Sequence, residues 1–376
     1  MMKYRQKKKK KGLVIAGFCS LALIPIFIFL NILLKSCPYF TEKYIVGIFH
    51  KYISGAFGFV TNFLPFSLCE LLIIALPVIL IILFIRAYRK TSVTNSLSPL
   101  VRLLSGLCAL VSLLFCIFTT GLSFNYSRVK TADTLELDTS NPQKEELADA
   151  LEYIIEELNV LCQEIEFDQN GISKYKDGFL EMSKQGNKSF DILAQQNRIF
   201  SGLRVRAKPM LISSIVMNYM GTTGVYSPFT YEANVNILFP DFSLPQTMCH
   251  EIAHLRGFMP ENEAEFVGYL ACINSDDIYF NYSGYMYAFN CVRNALYKTD
   301  KQLYSQLMKT VNPYVKSEWQ NYFDYADKFE TKVTEISNAV NNSYLISQGQ
   351  SDGIISYSKA VILIIAQMRK DNIVGM

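Results

Sequence analysis

The sequence predicts a helical membrane domain of three transmembrane helices followed by an α+β domain outside the bilayer. Three observations predict it. Half of the 376 residues are hydrophobic and the mean hydropathy is +0.17, too apolar for an ordinary water-soluble chain. Three long apolar runs all fall before residue 127. Residues 128–376 mix polar and apolar positions and suffice for one globular domain.

The first run, Leu13 to Leu34, holds 22 residues without a charge, enough to cross a bilayer. Lys7 to Lys11 precede it. Such a run could bind nucleic acid, but directly before an apolar stretch it reads as a membrane-anchor flank, and no nucleic-acid partner is expected. The stretch is longer than the apolar part of a signal peptide and no small-residue cleavage pattern follows, so the span is expected to stay uncleaved. Residues 36–66 are aromatic and carry Gly47, Gly55 and Gly58. They read as short amphipathic helices on the membrane surface, with His50 at the interface. The second span is Ser67 to Ile85. It contains Pro77, and Glu70 lies within a turn of its boundary, which places that acid at the interface rather than in the hydrocarbon. The third span is Leu103 to Phe124. Residues 1–127 thus form the membrane domain.

Orientation follows from the basic residues. Arg86, Arg89, Lys90 and Arg102 lie between spans two and three with no acid among them. They place that loop and the amino terminus on the cytoplasmic side of the cytoplasmic membrane. Residues 128–376 are then extracytoplasmic.

In that outer part, Asn141 to Ile165 carries an apolar stripe at helical spacing: Leu147, Ala150, Leu151, Ile154, Ile155, Leu158 and Leu161. Val235, Ile237 and Phe239 alternate with Asn236 and Leu238 and end at Pro240-Asp241, which reads as a strand and a turn. From Pro313 onward the pattern is helical again, and Val361 to Met368 is too short to cross a membrane. The nine cysteines include no C-x-x-C pair, which argues against a thiolate zinc site. Their odd number does not suggest a disulfide framework, although one bridge among Cys162, Cys249, Cys272 and Cys291 stays open.

Two of only three histidines sit four residues apart around a glutamate: His250-Glu251-Ile252-Ala253-His254. On a helix this spacing puts both imidazoles on one face, where they can bind one zinc ion. A catalytic zinc takes three protein ligands and keeps an open position for water, with Glu251 as the general base. A chance match on a surface helix is the bland alternative, disfavoured by the scarcity of histidine. Ser243 and Gln246 are spaced as a capping box with Pro245 in the first turn, and Gly257 is a stop signal. Pro260 then opens a helix bearing Glu261, Glu263 and Glu265. A turn at Gly257 brings Glu261 within reach as third ligand. Glu265, one helical turn on, is the alternative ligand or the hydrogen-bonding partner of a ligand histidine. Glu263 points elsewhere and is expected in solvent. Acids at a helix start also suit its dipole, which is the bland reading of all three. Cys249 lies about 100° from His250 around the helix and reads as packed core.

The E-x-x-A pattern of Glu261 to Ala264 after H-E-x-x-H resembles the gluzincin metallopeptidases, in which the first Glu of that element is a zinc ligand. Glu265 stands where Asp or Asn is usual. More closely, the chain resembles a bacterial membrane family, domain of unknown function 3810. The matching stretches are Leu64-Pro65-Phe66-Ser67, Gly224-Val225-Tyr226-Ser227-Pro228-Phe229-Thr230, Glu232-Ala233-Asn234-Val235-Asn236, Cys249 to His254, Gly257-Phe258, Glu263-Ala264-Glu265-Phe266 and Tyr282-Ser283-Gly284-Tyr285. The resemblance implies three spans and a zincin-like outer domain, with no known substrate.

In zincins a strand before the metal helix often lines the cleft. Here Asn234 and Asn236 would lie on a strand edge that pairs with an extended peptide. The oxyanion needs a donor, and a tyrosine is the natural one: Tyr226, Tyr231, Tyr282 or Tyr285. The expected function is that of a membrane-anchored zinc endopeptidase holding one catalytic Zn2+, with a peptide or protein substrate and the lipid bilayer as partners. Polar sequence around the motif argues against an intramembrane protease. A non-catalytic metal-binding module in envelope signalling or assembly is the alternative. A hydrolase acting on cell-wall peptides would share the same metal residues.

Overall fold

The computed structural model describes residues 2–375, mostly helical (72%). Long apolar runs wind into rods even across Pro25 and Pro77. The first joins α1 (Met2–Cys19) to α2 (Leu23–Lys35) through one tight turn. An arm follows, made of α3 (Pro38–Phe40), a π-helical stretch Thr41–His50 and α4 (Lys51–Thr61). The second and third rods are α5 (Leu68–Thr94) and α6 (Ser98–Gly121). The segments Lys11–Lys35, Leu68–Thr94 and Ser98–Ser127 are each long and apolar enough to cross a membrane. Helix α5 runs on past Ile85 because Arg86, Arg89 and Lys90 must leave the apolar layer but not the helix. It stops at Asn95, whose φ of 46° is left-handed.

After the short helix α7 (Thr131–Thr134), α8 (Lys144–Leu161) buries the seven stripe residues Leu147, Ala150, Leu151, Ile154, Ile155, Leu158 and Leu161. The chain continues through α9 (Gly178–Gln196), β1 (Lys208–Met210), α10 (Ser214–Met220), β2 (Gly224–Ser227) and β3 (Glu232–Asn236). Then come α11 (Leu244–Leu255), α12 (Glu261–Ile273), α13 (Ile278–Thr299), α14 (Lys301–Leu307), α15 (Pro313–Asp327) and α16 (Lys332–Gln348). A tight turn, Gly353–Lys359, leads into α17 (Ala360–Lys370). The main core is shared by α8, α9, α11, α12, α13 and α17. Val361 to Met368 falls in α17, where Leu363, Ile364, Ile365 and Met368 are buried in that core. Cys162, Cys249, Cys272 and Cys291 are all free thiols, and Cys249 is fully buried as expected of core.

The sheet corrects the expected strand. Its order is β1-β3-β2, with β1 parallel and β2 antiparallel to β3. The strand begins at Glu232 and ends at Asn236, earlier than the alternation at Val235–Phe239 suggests. Asn234 and Asn236 lie on the central strand, not an edge. Both are fully buried. The Asn234 amide donates to the Val225 carbonyl and accepts from Ser67 Oγ (3.1 and 2.6 Å). The Asn236 amide donates to Asn218 Oδ1 and the Thr222 carbonyl (2.8 and 3.1 Å). With these bonds made inside the sheet, the open edge beside the histidines is β2.

Polar bonds fasten this domain to the membrane part. Glu70 accepts from the backbone N–H groups of Leu211, Ile212 and Ser213 (3.1, 2.8 and 2.6 Å). Glu232 accepts from the N–H groups of Leu68 and Cys69 (3.2 and 2.9 Å). Buried Lys208 donates to the carbonyls of Thr61 and Leu64 (2.6 and 2.7 Å). Arg128 grips Glu42 through two bonds (2.9 and 2.8 Å) and lies over the Phe258 ring. His50 is a second correction: it is buried, not interfacial. Its Nε2 meets the Leu255 carbonyl at 3.0 Å and its Nδ1 meets the Asn125 amide nitrogen at 3.0 Å. A carbonyl can only accept and an amide nitrogen only donate, so the ring is the neutral Nε2–H tautomer.

Candidate metal centre

Helix α11 starts after a tight turn at Asp241–Ser243, with Pro245 in its first turn. The expected capping box does not form. Ser243 Oγ donates back to the Pro240 carbonyl at 2.8 Å, while the Gln246 N–H is satisfied by Ser283 Oγ at 3.0 Å. At the other end Gly257 takes φ 89°, and the Phe258 N–H closes on the Ala253 carbonyl at 3.0 Å. That reversal requires a left-handed residue and returns the chain toward the histidine face. Pro260 then precedes α12, whose first residue is Glu261.

Three groups converge. His250 Nε2 and His254 Nε2 are 3.0 Å apart, and Glu261 Oε2 lies 3.4 and 3.3 Å from them. Tetrahedral zinc bound at 2.0–2.2 Å separates its ligand atoms by roughly 3.3–3.5 Å. The donor set His, His, Glu and its spacing therefore fit such an ion, and among the described residues this is the cluster that could hold one. The second ring nitrogen of His254 is oriented as a metal-binding histidine requires, and that of His250 is buried without a bond. His254 Nδ1 is 2.8 Å from the Phe258 carbonyl, which fixes the proton there and turns the Nε2 lone pair inward. His250 Nδ1 has Glu265 Oε2 at 3.6 Å. Glu265 thus stands behind a histidine, while Glu261 faces both.

The electrostatics favour positive charge at this point. Burial opposes charge on His250, but Glu265 and Glu261 outweigh it and hold the ring well above its usual range. Burial would raise Glu261, but His254 and His250 outweigh it and hold its carboxyl below the usual carboxylate range. Glu251 differs. Burial pushes it up to about 7, against the pull of the two histidines. Glu251 Oε2 and Glu261 Oε2 are buried without a hydrogen-bond partner. Orphaned carboxylate oxygens beside paired imidazoles are what a cation and its water would satisfy.

Two other expectations change. Glu263 is buried, not solvated, and accepts from the Thr131 N–H and Oγ1 (3.3 and 2.8 Å). The four tyrosines separate. Tyr226 lies 6.4 Å from His254, ring to ring, but its hydroxyl donates to the Gly121 carbonyl at 3.1 Å. Tyr231 packs between His50 and Phe57. Tyr285 shares a hydroxyl bond with Tyr153, and Tyr282 packs on Phe167 and Tyr279. Tyr357, from the turn before α17, stacks 6.5 Å from His250 and is held by Asn341. No motif marks it, and only the fold brings it there. Gly224 of β2 is the other residue missed. A Cβ there would come 2.5 Å from Glu251 Oε1, so glycine lets the strand pass over that carboxylate.

The three spans, the small sheet and this cluster define a membrane protein with a histidine-carboxylate site just beyond its spans. The chain belongs to a family of proteins of unknown function, DUF3810, whose model matches residues 44–365. No curated protein and no solved structure matches it.

Proposed function

We propose that the protein is a membrane-anchored zinc metallopeptidase of gluzincin type, with a zincin-like domain held outside the cytoplasmic membrane. One observation carries this reading: Glu251 presents an orphaned, buried carboxylate beside the convergent His250, His254 and Glu261. A purely structural metal site has no use for that fourth group. A zinc ion bound there would supply Lewis acidity toward a peptide carbonyl and lower the pKa of its water. Glu251 would take the water proton on its free Oε2 and pass it to the departing amine. Tyr357, whose ring lies beside His250, would be the donor toward the oxyanion. Edge strand β2 would pair with an extended substrate, with Gly224 leaving room over Glu251.

The test is metal content and proteolysis of the full chain in detergent. His250→Ala and Glu261→Gln should lose zinc, while Glu265→Gln should weaken binding by about 10–100-fold. Glu251→Gln should keep zinc and fold yet lose hydrolysis, read as membrane and secreted peptides present only in wild-type cells. Matching peptide profiles, together with full complementation of a deletion by Glu251→Gln, would favour the non-catalytic module. The outward orientation rests on the basic residues flanking the spans. A reporter active only outside the cytoplasm should work after Ser127 and fail after Lys90, and the reverse pattern would place the site in the cytoplasm.

A further inference from the structure

Helix α16 tucks in Leu345 near its end, with Thr334, Ser337, Asn341 and Tyr344 partly covered, yet Val333, Ile336 and Val340 on its outer side are each more than half exposed. A helix side that faces water carries polar residues at such positions. Helix α10 behaves alike: Ile212, just before it, and Ile215 and Val216 within it are each more than half exposed. The two helices touch, since Thr334 Oγ1 donates to the Tyr219 carbonyl at 2.9 Å. Their outward residues are the kind of exposed aliphatic surface that soluble monomers rarely carry.

Three ties fix the height of this surface. The N–H groups of Leu211, Ile212 and Ser213 bond Glu70, the third residue of α5, so this end of α10 lies level with the end of a span. Tyr344 of α16 packs 6.3 Å from Phe118, one turn inside the end of α6. A Cβ on Gly349, just past α16, would lie 3.6 Å from Lys35 Nζ, where the first rod ends. The exposed aliphatics therefore continue the belt of the three spans. On the arm, Tyr39, Tyr52, Phe59 and Phe63 are likewise exposed, as rings at a membrane interface are.

We propose that the α10–α16 face is a lipid-docking surface, seated in the leaflet on the side of the globular domain. The occupant is bilayer, not a second chain, because the face is continuous with the span ends on both sides. Seated this way, the domain holds its histidine cluster beside the headgroups: His254 is one tyrosine ring, Tyr226, from the Gly121 carbonyl at the end of α6.

Brominated phospholipid vesicles test it with the full chain. Ile336→Trp and Ile212→Trp each add one indole to the single native Trp319, which is buried and gives the baseline. Val160→Trp, exposed on α8, is the control away from the spans. Bromines near the headgroup should quench 336 and 212 strongly and bromines near the chain ends less, since interfacial helices bury only about 5–10 Å deep. Position 160 should stay unquenched. Equal, weak quenching at all three positions would overturn the proposal. So would unquenched 336 and 212 with cross-linking between two chains through α16, which would make the face a dimer interface. Neither outcome depends on peptidase activity.

Discussion

At the scale of single residues, the spacing of donors decides what the cluster can do. His250 and His254 owe their meeting to one helical turn, but Glu261 reaches them only because Gly257 reverses the chain. Gly224 is as specific on the opposite wall. Its Cβ would sit 2.5 Å from Glu251 Oε1, so Gly224→Ala must push that carboxylate aside. Strand β2 itself is paired along its length with β3 and should hold. The expected outcome is unchanged zinc content and melting temperature with hydrolysis lowered by about 10²-fold, the cost of misplacing a catalytic group by about 1 Å. Unchanged hydrolysis would show that Glu251 does not work from this position. The histidine pair, Glu251 and Glu261 were legible in the sequence because their spacing is local. Tyr357 was not, since it lies about a hundred residues away and no pattern announces a contact made by folding.

At the scale of elements, legibility follows how each element is stabilised. Helix α8 buries the stripe its 3.6-residue period announces, because one face packs on core and the other meets water. The spans were legible for a different reason, the length of their apolar runs, apart from ends set by side-chain chemistry. Strand β3 was misread by a few residues because its asparagines are buried too. Polar residues that bond within a sheet look like solvent-facing ones in sequence. The arm carries the sharpest misreading, His50, and it offers a pH test. Burial, opposed by the Leu255 carbonyl and assisted by the Arg128 charge, brings His50 from 6.5 down to about 4. Between those values the unfolded chain takes up a proton that the folded chain refuses. Stability is therefore full above pH 6.5 and falls as pH drops toward 4, by about 3 kcal/mol at most. His50→Gln removes this titration. Melting temperatures in detergent from pH 4 to 7.5 should fall less steeply for the variant, and identical slopes would mean that His50 is not held neutral.

At the scale of the whole molecule, the membrane part does more than anchor. Glu70 and Glu232 bond backbone N–H groups across the boundary in opposite directions, and Lys208 caps the carbonyls of Thr61 and Leu64. The His50 bond to the Leu255 carbonyl lands one residue past His254, and Arg128 braces Phe258, whose carbonyl orients His254. The arm thus supports the very turn that presents Glu261 to the histidines. Separating residues 128–376 from residues 1–127 leaves Arg128 on Phe258 but removes Glu42, His50, Glu70 and the Thr61 and Leu64 carbonyls, and bares the apolar surface under Val205, which Gly58 of the arm covers. Each buried polar or charged group left without its hydrogen-bond partner costs about 1–3 kcal/mol or more. The isolated fragment should therefore melt well below the full chain, aggregate on concentration and hold less zinc. Supplying residues 1–127 as a separate co-expressed chain should restore both properties, because the contacts are polar bonds and packing rather than chain connection. Zinc content and thermal unfolding of the three preparations decide the matter. A monomeric fragment that matches the full chain in both would show that the membrane part only tethers the site and does not build it.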